Sequence, residues 1–175
     1  MKRILLYTAI AVFGLSTMNA QELGYGGKAG AAFATLKIKN QSYSITNSET
    51  GFYIGGFADI GISDDFGFQP EVLYIAVEGL NQVSIPIMAK YKPSEELSIL
   101  AGPSVGYLLD VDEGFESVNY GIEIGAAYNI VINRYIKGLI VEARYNFGLA
   151  NLLENTSSGL TRKLKGFFIG LAYKI

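Results

Sequence analysis

The chain has 175 residues and contains no histidine, no cysteine and no tryptophan. Without cysteine it forms no disulfide, although exported domains of this size often use them, and it has no thiol to carry a lipid anchor. Its fold must be held by packing or by closure of its hydrogen bonds. Without histidine the familiar hydrolase designs lose their general base, and metal sites lose their commonest nitrogen ligand as well as the thiolate. Charge is modest: 14 basic against 16 acidic residues, a net of −2. Nothing there points to nucleic acid. Helical periodicity is weak throughout.

What the chain does have is alternation. From Val118 to Ile130, the run VNYGIEIGAAYNI puts an apolar or aromatic residue at every even position. Every odd position is small, polar or charged. Period two over such a length predicts a β-strand with one oily face and one polar, glycine-lined face. Strands of water-soluble sandwiches are shorter, about 5–6 residues, whereas a strand crossing a bilayer at a tilt needs about 9–11.

Residues 1–20 read as a signal peptide. Lys2 and Arg3 open it, Ile4 to Leu15 is an apolar run, and Ser16 to Ala20 is a region of small residues. The expected cut lies between Ala20 and Gln21, with Met18 a poor fit at the third position before it. The remaining 21–175 would form one domain.

Eight alternating blocks follow: Tyr25 to Leu36, Phe52 to Ile62, Phe66 to Val77, Asn81 to Tyr91, Leu97 to Leu109, Val118 to Ile130, Leu139 to Leu149, and Leu164 to Ile175. Connections after the second, fourth and sixth are tight. Those after the first, fifth and seventh (Lys37 to Thr50, Asp110 to Ser117, Ala150 to Lys163) are longer and polar, while the link at Glu78-Gly79 is short. An even strand count with turns on one side and loops on the other predicts an all-β fold, an eight-stranded antiparallel up-and-down transmembrane β-barrel. Both termini would then lie on the turn side, the periplasmic side of a Gram-negative outer membrane.

Lipid leaves no backbone polar group a partner, so strands can span it only by closing on themselves. Eight strands enclose a space that side chains fill. Asp59, Glu71, Lys90, Glu123, Glu142 and Arg144 all fall on polar faces at mid-strand, which predicts a salt-bridged interior. Facing lipid at the midplane, a lysine or arginine would cost about 2–4 kcal/mol. Tyr25, Tyr74, Tyr91, Tyr107, Tyr120, Tyr128, Tyr135, Tyr145 and Tyr173 sit mostly near block ends and read as interfacial girdles, a task tyrosine and phenylalanine must perform without tryptophan.

Several strings, in order, resemble one family. Gly27-Lys28-Ala29-Gly30 opens the first strand and Phe68-Gln69-Pro70-Glu71-Val72-Leu73-Tyr74 forms the third. Ile85-Pro86-Ile87 with Lys90-Tyr91, then Ala101-Gly102-Pro103-Ser104-Val105-Gly106, then Glu142 to Leu149 follow. Together they resemble the PorT-like outer-membrane β-barrel domain proteins of Bacteroidetes. The resemblance implies an eight-stranded outer-membrane barrel and little about activity. The chain closes on Gly170-x-x-Tyr173-x-Ile175, similar to the C-terminal signal that barrel-assembly machinery reads, with Ile175 where phenylalanine is common.

For an enzyme, Glu123 with Glu142 is the one carboxylate pair to name, and beside Arg144 and Lys90 it reads instead as a structural ion network. Gly102-Pro103-Ser104-Val105-Gly106 has the spacing of a nucleophile elbow but lies inside a strand without a base. The acidic loop Asp110 to Glu116 reads as solvated rather than as a calcium site. A wide pore would need about 16–18 strands. The expectation is therefore a non-enzymatic barrel with a structural, adhesive or assembly-linked role. It would have no cofactor or metal, and its partners would be outer-membrane lipid, the assembly machinery and an unidentified envelope protein. The alternative is a soluble exported lipocalin-like barrel binding an apolar ligand, which would need an apolar interior and a polar exterior.

Overall fold

The computed structural model describes residues 23–39, 44–109, 116–130, 138–152 and 161–175. The expected signal segment and its cut at Ala20 and Gln21 lie outside them, as do Tyr135 and residues 110–115 of the acidic loop. Eight strands run in chain order: β1 (Leu23–Lys39), β2 (Ser44–Gly61), β3 (Phe66–Val77), β4 (Gln82–Tyr91), β5 (Leu97–Leu108), β6 (Val118–Ile130), β7 (Leu139–Gly148) and β8 (Thr161–Lys174). Each pairs antiparallel with the next, and β8 returns to β1, so the sheet is a closed barrel. The seam runs from Gly26↔Lys174 to Lys39↔Thr161 and leaves no edge along the wall.

The alternation decides which way each side chain points. Phe52, Ile54, Val72, Tyr74, Ile85, Val105, Tyr120, Ile122, Ile124, Tyr128, Leu171 and Tyr173 are all exposed on the outside. Their partners in sequence are buried inside. At the end that carries the turns and both described ends of the chain, Tyr25, Phe66, Tyr91, Tyr128 and Tyr173 ring the outer wall. Tyr74, Tyr107 and Tyr120 ring the other end. On β6, Tyr120 and Tyr128 stand about 26 Å apart along the strand, or ~20 Å along the axis at a tilt of roughly 40°. An outward apolar band about 25 Å tall between aromatic girdles is the dimension expected of an outer-membrane barrel.

The largest departures from the blocks expected from sequence lie at the long-loop ends of β1, β2 and β8. Lys37 to Thr50 is not a long loop: β1 and β2 continue as a hairpin to Lys39↔Ser44. Residues Ser44 to Thr50 are all exposed and pair with β1 alone, because β3 joins β2 only from Gly51↔Val77. A strand wet on both faces carries no apolar stripe, and Ile45 alone sets no period, so alternation could not reveal it. β8 likewise starts at Thr161 rather than Leu164, and β8, β1 and β2 together rise above the rim as a three-stranded tongue.

The ladder is broken along one diagonal. Pairing skips the positions around Pro70 between β2 and β3, around Pro86 between β3 and β4, and around Pro103 between β4 and β5. Proline has no N–H to give the neighbouring strand, so each ring costs the ladder a rung. The tight link at Glu78-Gly79 is a turn in which the Leu80 N–H donates to the Val77 carbonyl at 2.9 Å. Gly79 holds φ at +67°, where a side chain would be strained.

Candidate functional site

The interior is layered. Nearest the turn end, Asp59 accepts from Lys90 Nζ and Lys174 Nζ, both at 3.0 Å. Above it lies an apolar layer of Phe57, Met88, Leu100, Ala127, Ile140 and Ala172, in which Met88 and Leu100 are fully buried. The middle of the barrel holds the charged cluster. Over that, toward the long-loop end, a second apolar group that includes Ile75, Val77, Leu80, Leu108, Leu152, Leu164 and Phe168 fills the mouth. With both apolar layers packed, the interior is a core and not an open channel.

Arg144, on β7, is the hub of the charged cluster. Its Nη2 donates to Glu71 Oε2 at 2.8 Å and to both oxygens of Glu142 at 3.0 Å, and Nη1 lies 3.5 Å from Glu123 Oε2. Lys28 Nζ lies opposite and donates to Glu142 Oε2 at 2.9 Å and Glu71 Oε1 at 3.1 Å. It also stands 5.0 Å above the Phe57 ring, a cation–π distance. The Tyr53 hydroxyl donates to Glu142 Oε1 at 3.1 Å, Gln69 Nε2 to Glu71 Oε1 at 2.8 Å, and Asn146 Nδ2 to Glu123 Oε1 at 3.0 Å. Every carboxylate therefore has at least one charge-assisted contact, the condition under which buried charge is tolerated.

The glycines on the inner face make room for these side chains. A Cβ on Gly125 would come 2.6 Å from the Arg144 stem. One on Gly170 would come 2.4 Å from the Tyr53 hydroxyl. The glycine-lined face of β6 is thus the clearance that lets a guanidinium cross the barrel, and Gly170, noted in sequence as part of the terminal pattern, also seats Tyr53. Tyr173 and Ile175 point outward at the turn end, where Ile175 N–H donates to the Tyr25 carbonyl at 2.8 Å.

The six charged residues singled out in sequence all lie inside, and the structure divides them. Glu71, Glu123, Glu142 and Arg144 form the central cluster, whereas Asp59 and Lys90 form the separate lower one. Sequence reasoning missed Lys28, although its string was noted; the signal was there, since Lys28 falls in phase with Gly24, Gly26, Gly30 and Ala32 on the inner face of β1. It also missed the apolar mouth, because Val72 to Val77 is apolar on both faces and shows no period. Glu123 and Glu142 both turn toward Arg144 and are 2% and 3% exposed, which leaves no room for a substrate between them.

These features define a class: a small closed up-and-down barrel, oily outside and charged within. No protein-family model matches the chain, so the resemblance to PorT-like proteins has no such support, and no curated protein matches it in sequence. Among solved structures it is similar to Ail, the attachment invasion locus protein of Yersinia pestis, at 14% identity over 88% of this chain and 99% of that one, with a TM-score of 0.46. Neisserial surface protein A matches at 12% identity over 85% of this chain and 96% of that one, TM-score 0.46. A de novo designed transmembrane β-barrel matches at 16% identity over 83% and 95%, TM-score 0.45. The likeness is one of architecture.

Proposed function

We propose that this chain is a non-enzymatic integral protein of the outer membrane of a Gram-negative bacterium, with both termini in the periplasm and a structural, adhesive or assembly-linked role. The observation that carries the reading is the outer wall. A closed sheet presents Phe52, Ile54, Val72, Ile85, Val105, Ile122, Ile124 and Leu171 to its surroundings, each about half exposed. An apolar surface of that extent is a liability in water and the requirement in lipid. The lipocalin-like alternative asks for the reverse polarity. The filled interior speaks against a pore, and the ion cluster, sealed between apolar layers, is suited to holding the wall rather than to turnover. The polar tongue above the rim gives an adhesive or assembly-linked role a surface to use. Membership of the PorT-like group rests on the order of the matching strings along the chain.

The full chain should fractionate with outer membranes and require detergent for extraction. An unheated sample should migrate differently from a boiled one on a gel, because the closed barrel resists the detergent until heated. Recovery in the soluble periplasmic fraction without detergent would reject the membrane reading.

A further inference from the structure

Between the charged cluster and the apolar mouth lies a small cavity, apolar on the mouth side and polar on the side that Glu123 shares with the cluster. Its free volume for a water-sized particle is about 20 Å³, and Gln82, Ser84, Ser104, Asn119, Glu123 and Asn146 line its polar side. About 10–15 Å³ on that measure holds one such particle. Three of these side chains bring buried oxygens to which no described group donates: Gln82 Oε1, Asn119 Oδ1 and Glu123 Oε2. The three residues are 9%, 6% and 2% exposed. Lys165 borders the cavity too, from a position whose alternation faces its side chain outward with Phe167 and Ile169.

The charge around the cavity is uneven. The cluster holds three carboxylates, Glu71, Glu123 and Glu142, against two cations, Lys28 and Arg144. Glu71 and Glu142 each accept from both cations. Glu123 accepts from the neutral Asn146 amide and, among the described cations, meets only Arg144 Nη1 at 3.5 Å, so the excess negative charge sits on the residue that faces the cavity. The lower cluster, with Asp59 between Lys90 and Lys174, lies beyond the Met88 and Leu100 layer and reaches solvent through Lys174.

We infer that this cavity is a binding site for one monovalent metal cation of sodium or potassium size, held by Glu123 Oε2 and the amide oxygens of Gln82 and Asn119. One water has two protons for three acceptors and leaves the excess charge in place. A cation satisfies all three oxygens at once and neutralises the cluster. Hard oxygen donors suit such ions. A divalent ion would leave the cluster positive beside Arg144, so one carboxylate argues for a single charge.

The test uses the full barrel, refolded in detergent in choline chloride and melted while sodium or potassium replaces choline at constant ionic strength. Ligand binding to the folded state alone raises the melting temperature with concentration. A rise of roughly 6–12 °C by 150 mM, continuing with the logarithm of concentration, is expected for a Kd of about 1 mM. Glu123→Gln should abolish it, as should Asn119→Leu should the first variant fold poorly. Crystals grown with thallium(I) should show an anomalous peak in the cavity. Equal melting in choline, sodium and potassium, a rise that both variants retain, or a cavity without the thallium peak would each overturn the site.

Discussion

Replacing Arg144 with methionine should destabilise the barrel by about 3–5 kcal/mol, the cost of breaking a buried ion pair from one side. The variant keeps much of the volume and removes the hub: Glu71 and Glu142 then share the single cation Lys28, and Glu123 loses its one charged partner among the described residues. Lys163→Met, at an exposed position on β8, serves as the control and should shift stability by less than ~0.5 kcal/mol. Unfolding in urea from detergent or lipid measures both. Adding Glu123→Gln to Arg144→Met should recover part of the loss, because the carboxylate left without a cation has been neutralised. Equal midpoints for Arg144→Met and Lys163→Met would refute the network as a source of stability.

Deleting Tyr173 to Ile175 should remove the protein from the outer membrane altogether. Tyr173 and Lys174 form the turn-end pairs of the closing seam, with Gly27 and Gly26, and Tyr173 also faces Leu139 on β7. Ile175 N–H donates to Tyr25 and Lys174 N–H to the Gly138 carbonyl. Lys174 Nζ is also half of the lower ion cluster. The deletion therefore leaves unpaired backbone groups on both neighbours of β8, at the turn ends of β1 and β7, each costing several kcal/mol in lipid. Immunoblots of membrane fractions should show the truncated chain lost to periplasmic degradation, and normal membrane levels would contradict the prediction. Refolding the purified truncated chain in detergent separates two causes. A barrel that refolds with unchanged melting temperature points to lost recognition by the assembly machinery, and one that melts early points to the damaged seam.

The strands that cross the apolar band were legible because lipid on one side and a packed polar core on the other impose opposite demands on neighbouring residues. β6 shows this without a fault from Val118 to Ile130, and β3 and β6 carry the boundaries read from sequence. The demand lapses above the rim. There Ser44 to Thr50 meets water on both faces, and its sequence has the polar composition of a loop. It lapses again at the mouth, where Leu73, Ile75 and Val77 face an apolar filling and look the same as their outward neighbours Val72, Tyr74 and Ala76. The direction of each interior charge could be read from its phase. Which charges meet could not, because that depends on register across the barrel: Arg144 reaches Glu71 from four strands away. Lys28 shows the other limit, a phase that was visible among glycines but carried no contrast strong enough to stand out.

The three prolines on neighbouring strands give the hoop one soft stave. A cylinder squeezed by lipid from the side deforms where its circumference is least stiff, and here that is the diagonal from Pro70 through Pro86 to Pro103, across the barrel from the β1–β8 seam. The seam runs unbroken over its length, so breathing of the cross-section should concentrate on the far wall, and hydrogen exchange should find amide deuteration of the spanning strands beginning around those skipped rungs.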